Sequence, residues 1–320
     1  MEKPLISFII TYHEEPVNMV FSCIESILAL SLRPAERQII LVDDGSKVSP
    51  CNELLRYDGD ILYIRKPNGG ISSARNTAMK MATGRFIQFV DADDQIVTHV
   101  YEHCIDIARF SKADMVMFDF CHDINEKQEI KDQGPLSGTE LMRNQNIRGS
   151  ACCYIFSQSI RKELLFTVGI AYGEDEEFTA QLLLRSEALY TTTARAYLYR
   201  KNLASATNQQ DKRSVIRRLS DTRMVISRLN TLADRLPINE KIALQRRVAQ
   251  LTMDYLYNII RLTESRKYLE HKIESLRREG LFPLPDKNYT TKYSMFRRLI
   301  NQPRGLSLLM RIIPIMNKER

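Results

Sequence analysis

Phe86-Ile87-Gln88-Phe89-Val90-Asp91-Ala92-Asp93-Asp94 is a run of β-forming residues that ends abruptly on three carboxylates in four positions. A near-continuous apolar run is the pattern of a strand covered on both faces, as in a parallel α/β sheet. The same junction recurs where Ile39-Ile40-Leu41-Val42 meets Asp43-Asp44-Gly45-Ser46. Glu14-Glu15 closes the first apolar segment, and Glu174-Asp175-Glu176-Glu177 forms a fourth acidic cluster. In a parallel sheet, ligands bind beyond the carboxyl ends of the strands. Like charges gathered at that edge repel one another. A divalent cation is the simplest compensation, and a cation held by few carboxylates commonly holds phosphate too. The first expectation is therefore a metal-dependent nucleotide site.

Outward from that stretch, two periods alternate through the first 120 residues. Leu5–Thr11, Gln38–Asp43, Ile61–Ile64, Phe86–Asp91 and Met115–Asp119 read as strands. Met19–Leu30, Cys51–Tyr57, Ser72–Ala82 and His99–Phe110 read as helices between them. Such alternation predicts βαβ units and a mostly parallel sheet with helices on both faces. Ile130 to Gly149 reads as a loop with a short helix, Cys152–Phe156 and Leu189–Tyr199 as further strands, and Glu176–Arg185 as a helix between those. From Lys212 the pattern is helical, in runs Lys212–Leu236, Asn239–Thr263 and Ser265–Arg278. The expected organisation is a catalytic domain over 1–208, a helical extension over 209–286 and a basic amphipathic tail over 287–320.

Composition sets outer limits. Hydrophobic residues make up 44% and charged residues 27% of the 320, values typical of a globular protein. No stretch reaches the roughly 18 to 20 apolar residues of a membrane span. Six cysteines without CxxC spacing read as reduced thiols, and the N-terminus lacks a signal-peptide pattern, so a cytoplasmic location is expected. Charge is divided unevenly. Residues 1–194 carry 19 Lys+Arg against 28 Asp+Glu, a net of −9, whereas the remaining 126 residues hold +16. A basic half of this kind meets polyanions, either nucleic acid or an anionic membrane.

Five motifs in order now define a resemblance. They are Ser7-Phe8-Ile9-Ile10-Thr11-Tyr12, Val42-Asp43-Asp44-Gly45-Ser46, Asn68-Gly69-Gly70-Ile71-Ser72-Ser73-Ala74-Arg75-Asn76, Asp91-Ala92-Asp93-Asp94 and Gly173-Glu174-Asp175-Glu176-Glu177-Phe178. This series resembles the family 2 glycosyltransferases of the GT-A fold over roughly residues 4–205. Each motif alone is weak; the order and the placement at strand and turn ends carry the signal. The resemblance implies a donor-binding set of Thr11, Tyr12, Glu14, Asp43, Asp44, Asn68, Gly69, Arg75, Asp91 and Arg200. Thr11 and Tyr12 would lie at the nucleobase, Asp44 would accept from a uracil imide, and Asp91 would suit the ribose. Asp93 would take the metal, Mn²⁺ or Mg²⁺, because all-oxygen ligation disfavours zinc. Asp175 would be the general base, with Glu174 beside it.

The residues themselves are compatible with these roles. Strand alternation would send Asp91 and Asp93 to one side, leaving Asp94 as a cap for the following helix. Arg75 lies early in a helix behind a Gly-rich bend, a combination that favours diphosphate. An Asp175 at its ordinary pKa is already ionised at neutral pH. The resemblance implies an inverting transferase that moves a sugar from a UDP-sugar donor to a hydroxyl of a glycan, on a polyprenyl-diphosphate-linked acceptor.

Three competing readings are weaker. A sugar-nucleotide-forming nucleotidyltransferase would need a Gly-rich, basic loop near the N-terminus, which is lacking. A nucleic-acid-binding protein would use the basic half, but Leu306–Met316 is too apolar and stacking aromatics are few. His99-Val100-Tyr101-Glu102-His103 fits an inverted zinc-peptidase pattern, yet these polar residues fall on the outer face of an amphipathic helix. The tail, with Arg297, Arg298, Arg304 and Arg311 among Phe296, Leu299, Ile300, Leu306, Leu308, Leu309, Ile312 and Ile313, matches an interfacial segment on anionic lipid. Packing of the same apolar residues on the preceding helices is the alternative.

Overall fold

The computed structural model describes residues 3–124, 128–200 and 211–318. They divide into two units, residues 1–138 with 148–205, and residues 139–147 with 206–320.

The first unit is built on nine strands among the described residues. These are β1 (Ile6–Tyr12), β2 (Arg37–Asp43), β3 (Ile61–Arg65), β4 (Phe86–Asp91), β5 (Gln95–Ile96), β6 (Met115–Cys121), β7 (Asp132–Leu136), β8 (Tyr154–Ser157) and β9 (Leu189–Leu198). Their order is β3-β2-β1-β4-β8-β6-β9-β5, with β7 also on β9. β1 to β4 are mutually parallel, β8 runs against β4 and β6, and β6 and β9 are again parallel. The mostly parallel sheet expected from the alternating pattern is therefore present. The helices of this unit are α1 (Val17–Leu28), α2 (Cys51–Leu54), α3 (Ile71–Met81), α4 (Thr98–Phe110), α6 (Gln158–Arg161) and α7 (Glu174–Leu183); α5 (Gly138–Asn144) opens the segment that joins the second unit.

β1, β2 and β4 are buried along nearly their whole length because both faces are covered. Polar residues inside them must then be paired. Ser7 Oγ donates to Gln38 Oε1 at 2.6 Å and accepts from Gly84 N–H, while Gln88 bonds Cys152 O and Tyr101 OH. Five strand expectations in the first 120 residues match within two residues. β5 and β7 were missed: β5 is two residues long, and β7 is an exposed edge strand with Gly134 and Pro135 inside it. An edge strand shows little apolar pattern.

α4 buries Val100, Tyr101, Cys104, Ile105, Ile107 and Ala108. Its outer residues act separately: Glu102 accepts from Ser31 N–H, and His103 meets Asp132 at 2.9 Å. The peptidase reading falls with that separation. All six cysteines are free thiols.

The second unit consists of α5 with α8 (Lys212–Ala233), α9 (Ile238–Thr263), α10 (Arg266–Arg278), α11 (Thr291–Ile300) and α12 (Pro303–Lys318). α9 is its spine and buries Leu244, Val248, Leu251, Tyr255, Leu256, Ile259 and Ile260. Buried Arg246 reaches from α9 to Met142 O and Gln145 O at 3.0 and 2.7 Å. A guanidinium on the free carbonyls at the end of α5 is favourable, which attaches 139–147 to the helices. In the tail, Ile300, Leu306, Leu309 and Ile313 are core, whereas Leu308, Ile312, Ile315 and Met316 are exposed. The apolar residues that the sequence offered together to a lipid surface are thus divided between two faces.

Candidate active site

The carboxyl ends of β1, β2 and β4 lie side by side, with Tyr12 opposite Asp43 and Thr11 opposite Asp91 in the ladders. The chain leaves β1 through buried Tyr12, whose carbonyl accepts from Asp44 N–H. Glu14 has φ +67 and accepts from Lys47 N–H at 3.0 Å.

Asp43 and Asp44 do different things. Asp43 is fully buried and shapes its own turn: it accepts from Ser46 N–H, Ser46 Oγ and Tyr63 OH, all within 2.9 Å, with Arg65 at 3.4 Å. Gly45 follows at φ +75, and a Cβ there would stand 2.5 Å from Asn68 N. Only glycine suits that combination. Asp44 instead reaches the Gly-rich bend and accepts from Lys66 Nζ at 2.5 Å, Gly69 N–H at 3.0 Å and Gly70 N–H at 2.7 Å. Lys66 was not among the expected residues, although a lysine directly before Pro67-Asn68-Gly69-Gly70 was a visible signal. Asn68 Nδ2 lies 3.3 Å from the His13 ring.

Beyond the bend, α3 begins at Gly70 and carries Arg75 inward, 2% exposed. The guanidinium bonds Asp91 Oδ1 at 3.1 Å, ion-pairs with Asp175, and has Glu174 at 3.6 Å. Phe89 and Phe166 lie 5.5 and 5.2 Å from it. Burial opposes its charge, but Asp175, Asp91 and Glu174 outweigh burial and keep it protonated. Arg75 therefore joins the end of β4 to the start of α7.

Asp91 is the last residue of β4, and a turn follows in which Asp94 N–H donates to Asp91 O. Asp93 belongs to this turn rather than to the strand, so strand alternation does not position it. Asp91 and Asp93 are nevertheless both part-exposed while Ala92 and Asp94 are buried. Asp94 does not cap α4, whose N-cap is Val97. It accepts from Tyr197 OH at 2.9 Å and Arg200 N–H at 2.8 Å, and the same hydroxyl accepts from Asp91 N–H. Burial, then the Asp91 charge, pushes Asp94 up to about 8. Glu15 is a further member that sequence reading left without a role: burial raises its pKa, with Asp93 and Asp91 adding to the shift.

α7 opens at Gly173, in the left-handed region at φ +87. Asp175 accepts from Ala151 N–H at 3.0 Å on the oxygen not facing Arg75. Its pKa is raised by burial, against the pull of Arg75 and that N–H. The expectation of an ordinary aspartate is corrected here, because the site is drier than a helix terminus on the surface. Glu174 is pushed up to about 8 by burial and then by the Asp175 charge. Arg200 enters through its backbone.

Among the described residues no three His, Cys, Asp or Glu side chains are grouped to cage a metal. A donor set of one or two carboxylates still fits a hard cation, since Mg²⁺-like ions commonly keep waters and take substrate phosphates as ligands.

A sequence model described as Glycosyl transferase family 2 matches residues 7–166, half of the chain and every element of this site except α7, β9 and Arg200. The chain belongs to the family 2 glycosyltransferases. This glycosyltransferase is 28% identical to "Uncharacterized glycosyltransferase EpsJ" of Bacillus subtilis (strain 168), over 64% of its length and 63% of the relative. It is 27% identical to "Minor teichoic acid biosynthesis protein GgaB" of the same organism, over 55% of its length and 21% of the relative. It therefore spans less than two thirds of the length of these relatives. The crystal structure of S. aureus TarS 1–349 in complex with UDP-GlcNAc superposes with a TM-score of 0.63 at 16% identity, covering 98% of this chain and 91% of the other. At that identity the likeness shows the fold, which is GT-A.

Proposed function

We propose that this glycosyltransferase is inverting and metal-dependent, and moves a sugar from a UDP-sugar to a hydroxyl of a lipid-linked glycan in surface-polysaccharide or teichoic-acid synthesis. The observation that carries the reading is the buried Arg75, which grips Asp91 on the donor side and Asp175 on the other. The nucleobase would lie against Thr11 and Tyr12. Asp44, whose two oxygens are fixed by Lys66, Gly69 and Gly70, would accept from the imide N–H. Asp175 would take the acceptor proton while the hydroxyl oxygen bonds to the anomeric carbon and the diphosphate departs, in one displacement. Its raised pKa suits a base, since a pKa nearer the working pH gives more driving force for accepting the proton. A cation at Asp93 would supply Lewis-acid stabilisation to the departing diphosphate. The teichoic-acid relative and the UDP-GlcNAc complex of the structural neighbour support the donor and pathway.

A thermal-shift panel of nucleotides with and without Mn²⁺ tests the core of this reading. Stabilisation by UDP only with metal is expected; equal stabilisation by UDP in a chelator would remove the metal, and a response to GDP alone would change the donor.

Peripheral contact with anionic lipid on the inner face of the cytoplasmic membrane completes the proposal. No described helix is long and apolar enough to cross a membrane. The exposed Leu308, Ile312, Ile315 and Met316 share one side of α12, with exposed Arg304 and Arg311 on the same helix. Each basic residue at such a surface adds on the order of 1 kcal/mol. Because the other face of α12 is core, truncation is the wrong test; Leu308→Ser with Ile312→Ser should abolish co-sedimentation with anionic vesicles while leaving the melting temperature unchanged.

A further inference from the structure

Beside the carboxylate site, at the ends of β6 and β9, three rings meet outside the core. Phe120 lies 5.5 Å from the His122 ring and 6.0 Å from Tyr199, and His122 lies 5.6 Å from Tyr199. Their neighbours Phe118 and Tyr197 are 1% and 0% exposed, yet Phe120 and Tyr199 are half-buried and His122 is exposed. Tyr199 N–H donates to Cys121 O, and His122 Nδ1 lies 2.8 Å from Tyr199 O, so the cluster is fixed by the ladder beneath it. Exposed Arg148 stands 5.7 Å from the Phe120 ring and ion-pairs with part-exposed Asp119.

Two short links tie this cluster to the chemistry. Tyr199 precedes Arg200, whose N–H holds Asp94. Arg148 is three residues before Ala151, whose N–H holds Asp175, so their Cα atoms are at most roughly 11 Å apart. Tyr154 OH anchors Arg148 O at 2.5 Å, which fixes the intervening segment. A part-exposed aromatic cluster beside polar groups is what a sugar ring requires. Its C–H groups carry partial positive charge and lie on the negative face of the π system, and its hydroxyls find donors and acceptors at the rim.

We propose that Phe120, His122 and Tyr199, rimmed by Asp119 and Arg148, form an acceptor subsite that stacks a sugar or polyol unit next to the one being glycosylated. The inference rests on the reading of Asp175 as the base, because it is the path through Ala151 that places the rings on the acceptor side. Occupancy of this subsite selects which hydroxyl reaches Asp175, so it sets specificity rather than rate of bond cleavage.

Saturation-transfer NMR on the full chain with UDP and Mn²⁺ tests it, using methyl β-glucoside, methyl N-acetyl-β-glucosaminide and ribitol as probes. The wild type should transfer saturation to the C–H protons of at least one probe. Phe120→Leu and Tyr199→Leu, which keep apolar bulk without the aromatic face, should weaken that probe about fivefold to tenfold, in line with stacking energies of about 1 kcal/mol. His122→Ala, at an exposed position, provides a variant that should fold normally and also lose signal. Absence of transfer to every probe, or unchanged transfer in folded Tyr199→Leu and His122→Ala, overturns the subsite. Loss of the UDP thermal shift in the wild type, with probe binding intact, would overturn the donor reading instead.

Discussion

Asp43-Asp44 and Asp91-Ala92-Asp93-Asp94 stand at the ends of strands that flank β1 on either side, yet their charges are balanced in opposite ways. The β2 pair is balanced close at hand, by Ser46, Tyr63 and Arg65 on Asp43 and by Lys66 and two glycine amides on Asp44. Most of these partners lie within about 25 residues and belong to turns. The β4 cluster collects Glu15, Asp91, Asp93, Asp94, Glu174 and Asp175 from three chain segments, with Arg75 of a fourth buried among three of them. Burial, with like charges adding to it, raises the pKa values of Glu15, Asp94, Glu174 and Asp175 there. Nearby partners fix the orientation of the β2 pair, whereas carboxylates gathered in a dry site hold their protons more tightly.

Asp175→Asn challenges the reactive half most directly. Turnover should fall by about two to four orders of magnitude, as for a lost general base, while UDP still shifts the melting temperature. Nearly unchanged turnover would move the base to Glu174 or Glu176. Arg75→Met comes next. It leaves three carboxylates without their shared cation, and denaturant titration should register a loss of roughly 3–5 kcal/mol. A loss below 1 kcal/mol would mean that the cluster simply protonates and that the contrast with β2 is shallow.

Within the β4 turn, Asp93→Ala should remove the metal-dependent UDP shift, while Asp94→Asn keeps most of it, because Asp94 is occupied by Tyr197 and Arg200. Equal losses would place the cation across both. A smaller effect concerns pH. Glu174 has a folded pKa of about 8, above its ordinary 4.5. The fold therefore holds its proton, and its contribution is present below about pH 4.5 and lost as pH rises through about 8. Melting temperatures recorded from pH 5 to 8 should decline, and Glu174→Gln should flatten the decline; an identical slope would assign it to other groups. Asp43→Asn should be mildest, about 1–2 kcal/mol by chemical denaturation, since an amide oxygen still accepts from the Ser46 turn. A loss as large as that of Arg75→Met would erase the distinction between the two acidic sites.

The legible part of this protein is what depends on near neighbours. Strand runs, the Asp-Asp-Gly-Ser turn, the Gly-rich bend and the acidic opening of α7 all follow from local pattern and turn chemistry, and the order of these motifs identified the family. Lys66 was legible but overlooked. Tyr197 and Ala151 carried no local signal, because their roles come from partners 106 and 24 residues away. The Asp94 helix cap was a reasonable local inference that tertiary bonds to Tyr197 and Arg200 overrode. Arg75 shows the same limit from the other side. Its position early in a helix was readable from the sequence, but its attachment to Asp175 spans 100 residues and appears only when β4 and α7 are brought together.

By itself, then, the sequence determined the α/β class, the carboxylate-tipped strands and the helical second half, because periodicity and turn residues act over a few positions. Tertiary structure alone decided which carboxylates lie in a dry site with raised pKa values, since desolvation depends on everything packed around a group. It also decided that half of the tail's apolar stripe is core and half is surface, a division that one amphipathic pattern cannot express.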